Sequence, residues 1–260
     1  MSRRSRLDYA FAVGRVRVLE RYLLPRRLLL EALETPDLAS GLKLVYDAGL
    51  WPEEIVHLRT PDDVDNLSRR ELAKVDKLMA ELLEPDVLSL FRQDSPPERV
   101  LNLAQKTGYS FFIDYARHYL DLANIKLFLR FFYRGRSGEE LRERLVSGGF
   151  VDRQIFYQNF GLPLSDLYPL LAKTDYGQLW EKSLLAIAEE NTFIVLERET
   201  ENFLTGLWRQ SKKVVFGPEP VFVYGMARKR EIQLMRLICI GRILRLPSEL
   251  ISQRLSDTYV

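Results

Sequence analysis

The segment Pro220–Val260, PVFVYGMARKREIQLMRLICIGRILRLPSELISQRLSDTYV, decides the fold class. It predicts one long helix, a Leu-Pro-Ser break and a short second helix. Between Ile232 and Leu246 the only polar interruptions are Gln233, Arg236, Gly241, Arg242 and Arg245. A surface helix shows one apolar stripe, whereas a helix apolar on most of its faces has to be buried. The rest of the chain must therefore supply elements that surround this one.

Working back along the chain, helical patterning dominates. Tyr9–Leu24 carries Val13, Val16, Leu19 and Leu23 at helical spacing and ends at Pro25. Leu28–Leu33 and Leu38–Tyr46 are short helices around Thr35-Pro36-Asp37, where Thr35 or Asp37 can cap the second. Trp51–Asp65 holds Pro52 and Pro61 and predicts short helices with turns. Ser68-Arg-Arg-Glu71 has the form of a capping box that opens a helix striped by Leu72, Val75, Leu78, Met79 and Leu82, ended by Pro85. After a loop at Asp94–Pro97 come Val100–Gln105 and a long aromatic helix, Tyr109–Tyr133. A second capping box, Ser137-Gly-Glu-Glu140, opens Glu139–Val146, which Gly148-Gly149 ends. Leu184–Trp208 predicts another long helix with Phe193, Leu196, Phe203 and Leu207 on one face, and Phe216–Pro220 a bend. Lys213–Phe216 is the only β-like run. The fold class is all-α.

The opening segment has two echoes. Gly14-Arg-Val-Arg17-Val-Leu, Ala123-Asn-Ile-Lys126-Leu-Phe and Arg230-Glu-Ile-Gln233-Leu-Met share one polar/apolar pattern, at separations of 109 (17 to 126) and 107 (126 to 233). Downstream, Ser137–Leu145 matches Pro247–Leu255 with Arg144 and Arg254 in register. The expectation is three related helical units, residues 1–66, 67–178 and 179–260. Their period is too long for a solenoid repeat and suits a tandem of small bundles.

Composition narrows the function. The 260 residues carry 38 Lys plus Arg against 36 Asp plus Glu, so a net charge of +2 exerts no global pull on nucleic acid or anionic lipid. One cysteine, Cys239, excludes an internal disulfide and suits a reducing compartment. No run approaches a membrane span. The N-terminus, with Arg3 and Arg4 before an apolar patch at Tyr9–Val13, reads as a mature cytoplasmic one. Its early arginines are either a solvated tail or a weak phosphate or lipid contact.

Reactive constellations are scarce. His57 and His118 stand 61 positions apart without a second His or a Cys at ligand spacing, which argues against zinc. His57 reads as a surface residue, His118 as a structural hydrogen-bonder, and Cys239 as an inert small hydrophobe. There is no GxxxxGK(S/T) and no strand-borne GxGxxG. Glu189 and Glu190, and Glu197, Glu199 and Glu201, predict a solvated helix face. Lys126 with Arg130, and Arg17 with Arg21, are i, i+4 stripes on the central helices. Their expected partners are Glu71, Glu81, Glu197 and Glu199, since half-buried cations need them. Arg228–Arg230 and Arg242–Arg245 are basic patches that leave a phosphate-binding role open, without the interleaved aromatics of a single-strand groove.

Several stretches resemble one family. Glu219-Pro220-Val-Phe-Val-Tyr224, Glu231-Ile232, Met235-Arg236, Gly241-Arg242, Leu246–Leu255 and Tyr259-Val260 are similar to the C-terminal end of the C-type (or d-type) subunits of V-type and archaeal-type rotary ATPases. These form the central-stalk family of those complexes. Asp121-Leu-Ala-Asn124-Ile125-Lys126 with Arg130 resembles the family's D-x-x-N-(I/L)-K…R element, and Tyr9 with Arg15-Val16-Arg17 its N-terminal start. The resemblance implies three helical bundles in a pseudo-threefold funnel. It implies a non-catalytic rotor subunit, peripheral on the cytoplasmic face of the membrane, with no catalytic, cofactor or metal site. Its partners would be a D/F-type shaft and the proteolipid ring, not nucleic acid. The chain is short for that family, mainly in its first and third units. A helical nucleic-acid-binding adaptor is the alternative, and a metal-free enzyme built on Glu/Arg pairs a third reading. Arg134–Gly138 and Pro247–Glu249 are expected at a common end of their units, as docking loops.

Overall fold

The computed structural model describes residues 5–92 and 96–260; Arg3, Arg4 and the loop residue Asp94 lie outside the described residues. Every regular element among the described residues is helical. The chain divides into two compact units, Met1–Arg92 with Thr205–Val260, and Gln93–Leu204.

The first unit begins with a 3-10 turn, Arg6–Tyr9, and α1, Ala10–Leu19. The long helix expected to Leu24 stops early: a 3-10 turn at Glu20–Tyr22 and an extended Leu23 lead into Pro25. α2 (Arg26–Glu34) and α3 (Leu38–Ala48) follow, and the Asp37 side chain caps α3 by accepting from the Ser40 amide at 2.9 Å. α4 runs Pro61–Leu82. Its capping box is Thr60 with Asp63, well upstream of the expected start at Ser68, which lies buried inside the helix. The reason is that Pro61 occupies the first turn, where its missing N–H costs nothing. α5, Pro85–Arg92, completes the N-terminal part.

In the second unit α6 spans Pro97–Thr107 and ends on left-handed Gly108. α7 (Ser110–Tyr133) is its central helix, followed by α8 (Gly138–Arg144) and α9 (Arg153–Gln158). α10 is Gly177–Glu190 and α11 Ile194–Arg209. The sequence predicts these last two as one helix from Leu184. Asn191 breaks it by adopting φ 51°, a left-handed cap that Asn tolerates better than most residues. The buried line of α11 is Leu196, Thr200, Leu204 and Trp208, while Phe193, Phe203 and Leu207 are half-buried. Phe128 is the centre of this unit's core, with Phe156, Phe160 and Trp180 rings 5.6–5.7 Å away.

The chain re-enters the first unit and, after Gly217 at φ 131°, forms α12 (Glu219–Ile243) and α13 (Ser248–Arg254). No strand forms at Lys213–Phe216; a 3-10 turn ends at Lys213. α4 packs along α12. The approach is close at Gly225, where a methyl group would meet Met79 Sδ and the Phe91 ring at 2.6 Å. α12 is buried around most of its circumference, as its composition demands.

α7–α8 and α12–α13 are copies of one motif. The amides of Arg134, Gly135 and Arg136 return to the carbonyls of Arg130, Phe132 and Phe131. Those of Leu244, Arg245 and Leu246 return to Ile240, Arg242 and Gly241 in the same pattern. Gly135 (φ 60°) and Arg245 (φ 55°) take the same left-handed conformation. The two helices end at Tyr133 and Ile243, 110 positions apart, which sets the register. At that shift His118, Asp121, Leu122, Ile125, Phe128 and Leu129 match Arg228, Glu231, Ile232, Met235, Ile238 and Cys239, all buried. Leu141 matches Ile251, and Leu145 matches Leu255. The pairing of Lys126 with Gln233 read from the sequence is therefore out by three residues, nearly one helical turn; Lys126 corresponds to Arg236. The error arises because three residues is close enough to 3.6 to preserve an apolar pattern.

Candidate functional site

The corrected register brings out the polar positions that matter. Two buried acids, Asp121 on α7 and Glu231 on α12, occupy equivalent places in the middle of apolar helices. Each holds the backbone of a segment passing over its helix.

Glu231 accepts from the Leu24 amide at 2.7 Å, from Trp51 Nε1 at 3.1 Å and from the guanidinium of Arg228, one turn earlier. Arg228 also donates to the Leu50 carbonyl at 3.0 Å, pairs with Glu71 of α4 at 3.3 Å and lies over the Trp51 ring at 4.6 Å. Lys74 closes the network on Glu71 at 2.7 Å. Burial pushes the Glu231 carboxyl above its ordinary value, opposed by Arg228 and by the Leu24 and Trp51 donors. The network ties α12, α4 and both ends of the α2–α3 segment together.

Asp121 accepts from the Phe150 amide at 2.7 Å, the Val151 amide at 3.2 Å and the Tyr176 hydroxyl at 2.8 Å. The Tyr176 oxygen in turn lies 2.7 Å from His118 Nδ1. Since the hydroxyl proton goes to Asp121, Nδ1 carries the donating hydrogen. Asn124 adds a two-way bond to Val146, Nδ2 to the carbonyl at 2.8 Å and Oδ1 from the amide at 2.9 Å. Thus the D-x-x-N element clamps residues 146–151. Gly149 is required there, because a Cβ would stand 1.9 Å from Asp121 Oδ1.

Burial drives the ionisation of this cluster toward neutral forms: His118 is lowered, Asp121 and Tyr176 are raised. A His–Tyr–Asp chain has the parts of a proton relay, yet His118 is roofed by the Phe150 and Phe203 rings at 4.6 and 5.1 Å. Its place is that of a structural hydrogen-bonder. His57 is exposed in an open groove of about 630 Å³ beside Glu54 and Asp63. There Glu54 pairs with Arg70 and Asp63 accepts from the Thr60 amide. Cys239 is buried, which pushes its thiol up to about 12. Among the described residues no three His, Cys, Asp or Glu side chains are grouped to hold a metal ion.

The basic stripes are tied internally. Lys126 (3.7 Å) and Arg130 both reach Glu197, and Glu199 takes Lys182 and Arg198. Those glutamates are half-buried and paired, not a freely solvated face; Glu189 and Glu190 are exposed. Glu71 serves Arg228, and Glu81 takes Arg15 at 3.5 Å. Arg17 pairs with Glu20 and donates to the Ser211 and Val214 carbonyls, while Arg21 is exposed. Of the two basic patches, Lys229 pairs with Asp76, Arg230 donates to Ser256, and Arg242 to the Leu33 and Thr35 carbonyls. The buried acids Asp121 and Glu231 were the signal available to sequence reading: a carboxylate inside an otherwise apolar helix needs a built environment.

Comparison with known proteins agrees with this architecture. The family described as ATP synthase (C/AC39) subunit matches residues 97–254, which include both copies of the motif and both buried acids. The C subunit of the V-type sodium ATPase of Enterococcus hirae is 23% identical over 158 residues. That stretch is 60% of this chain and 47% of the relative, so the match spans about half of the curated protein. No described helix is long and apolar enough to cross a membrane. With more than half of its length matched to one family model, the chain belongs to the ATP synthase (C/AC39) subunit family.

Proposed function

We propose that the chain is a non-catalytic rotor subunit of a V/A-type ATPase. It would couple a D/F-type shaft from the catalytic head to the proteolipid ring during ATP-driven ion transport or ion-driven ATP synthesis. The observation that carries this reading is the repeated motif within the family-matched stretch: two long buried helices, each closed by the same cap and each fixed by a buried acid. A torque-transmitting part needs close-packed elements that deform little, and this construction supplies them.

The arrangement that accompanies this role is three units, residues 1–66, 67–178 and 179–260, set in a pseudo-threefold funnel on the cytoplasmic face of the membrane. No cofactor or metal enters the role. The loops Arg134–Gly138 and Pro247–Glu249, each just beyond the cap of its long helix, are the proposed docking positions. A nucleic-acid adaptor is less well supported, because the arginines it would use donate to carboxylates and carbonyls of the chain itself.

The test is association. Purified chain mixed with the D/F shaft and proteolipid ring from its own source is expected to co-migrate with both on size exclusion. Failure to bind either one removes the proposal, and steeply salt-dependent binding to DNA or RNA would favour the alternative.

A further inference from the structure

Of the five most exposed large apolar side chains among the described residues, four lie on or beside α1, and the fifth is Leu244, just beyond α12. Phe11 is 79% exposed, Val215 67%, Leu7 66% and Val18 56%, with Tyr22 and Phe216 also open. Phe11 and Val18 lie on one face of α1, about two turns apart, and Leu7 and Tyr22 sit in the 3-10 turns at either end of it. Gly14 fills the gap between Phe11 and Val18, and a Cβ there would meet nothing within 4 Å. Phe11 and Val18 are roughly 10 Å apart along α1 at about 1.5 Å per residue. Beside it runs the segment carrying Val215 and Phe216, held by Arg6 Nε to the Phe216 carbonyl at 3.1 Å and Arg17 Nη2 to the Val214 carbonyl at 3.1 Å.

Among the described residues, the charges around this face that lack an ionic partner are cations, except Asp8, whose carboxylate bonds only the Ser5 amide. Arg21 and Lys213 are exposed, with no ion pair among the described residues, and Lys212 rests over the Tyr259 ring. The acids nearby are engaged: Glu20 with Arg17 and the Tyr259 hydroxyl, Glu81 with Arg15, and Asp8 with the Ser5 amide. In the sequence Arg3 and Arg4 immediately precede this region. A line of aliphatic and aromatic side chains flanked by unpaired cations matches the chemistry of an anionic bilayer surface, whose headgroups take the cations while its acyl boundary takes the rings.

We propose that the outer face of α1 with the flanking Leu7 and Tyr22, together with Val215 and Phe216, is a lipid-binding surface that rests on an anionic membrane. This goes beyond the rotor reading, since it assigns a direct lipid contact that needs neither shaft nor ring.

The experiment is flotation of the purified full chain with vesicles of phosphatidylcholine alone or mixed with phosphatidylglycerol, at two salt concentrations. Binding is expected to the phosphatidylglycerol vesicles and to weaken with salt. Phe11→Ser with Val18→Ser is expected to weaken it roughly tenfold or more, since it withdraws two apolar side chains from the bilayer. Arg21→Glu with Lys213→Glu is expected to abolish the preference for phosphatidylglycerol. All four positions are exposed, so both variants should melt like the parent. Failure of the parent chain to float with phosphatidylglycerol vesicles at low salt overturns the proposal. So does a Phe11→Ser, Val18→Ser variant that binds within about twofold of it. Self-association of the parent that Phe11→Ser abolishes would assign the face to a second copy instead, and also overturns it.

Discussion

Replacing Arg228 with Met keeps the length and apolar stem of the side chain but removes the cation between Glu231 and Glu71. Breaking a buried pair by deleting one partner costs about 3–5 kcal/mol, because the remaining charge stays desolvated. The Leu50 carbonyl loses its donor as well, a further ~1 kcal/mol. Two effects reduce the total. Glu71 keeps Lys74, and Glu231 keeps the Leu24 amide and Trp51 and can take up a proton. The net expectation is about 3–4 kcal/mol of lost stability at neutral pH, or a melting point lower by roughly 6–15 °C. The pH dependence has a definite sign. Burial already raises the Glu231 carboxyl in the parent, and loss of Arg228 raises it further. A carboxyl whose folded pKa exceeds its unfolded value destabilises the fold as pH rises through the folded pKa. The deficit of Arg228→Met relative to the parent should therefore shrink on acidification toward the carboxyl range and be full above neutrality. Thermal unfolding followed by circular dichroism between about pH 5 and 8 measures it. A loss under about 1 kcal/mol, or a deficit that does not shrink in acid, would refute the view that this ion network holds the first unit together.

Other expectations follow from single positions. Gly149→Ala forces the Asp121 carboxylate off the Phe150 and Val151 amides and should cost about 2–4 kcal/mol, read as a lower melting point and faster hydrogen exchange at those amides. Asn191→Gly should be nearly neutral to thermal unfolding, whereas Asn191→Ala should cost about 1 kcal/mol, because Ala keeps a Cβ at φ 51° but loses the short polar side chain that lets Asn adopt the left-handed region. Cys239 should react with a thiol reagent only at the rate of unfolding, since burial keeps it neutral and enclosed. Rapid labelling of the folded chain would contradict that placement.

How much of the molecule is legible in the sequence depends on the kind of signal. The burial of α12 follows from its composition alone, and Ser137 and Asp37 cap their helices as their positions indicate. The starts and breaks of helices are less legible. Thr60-Pro61 opens α4 although Ser68 offers a local box too, because Pro61 suits the first turn, and Ser68 then lies buried inside the helix. Asn191 breaks a helix that periodicity alone would continue, since a left-handed cap needs only one residue and leaves the apolar spacing on either side intact. The repeat is visible in the sequence but misregistered by three residues, and hydrogen bonds at the caps, which leave no mark in hydrophobicity, correct it. For the same reason the pairing of Asp121 with Glu231 is hidden. Half of the donors they meet are backbone amides, at Phe150, Val151 and Leu24, which no side-chain pattern encodes. Ion pairing is partly legible: Glu197 does take Lys126 and Arg130, whereas Arg17 turns to Glu20 and carbonyl groups.

A rotor coupling role for this chain, linking rotation in a catalytic head to ion movement in a membrane ring, is tested most directly by ion uptake. The measurement is ATP-driven uptake into vesicles holding the membrane sector, to which the head and shaft are added with or without the purified chain. ATP hydrolysis without ion uptake is expected when the chain is omitted, with uptake restored in proportion to the chain added. Uptake of equal size in its absence would contradict the coupling role.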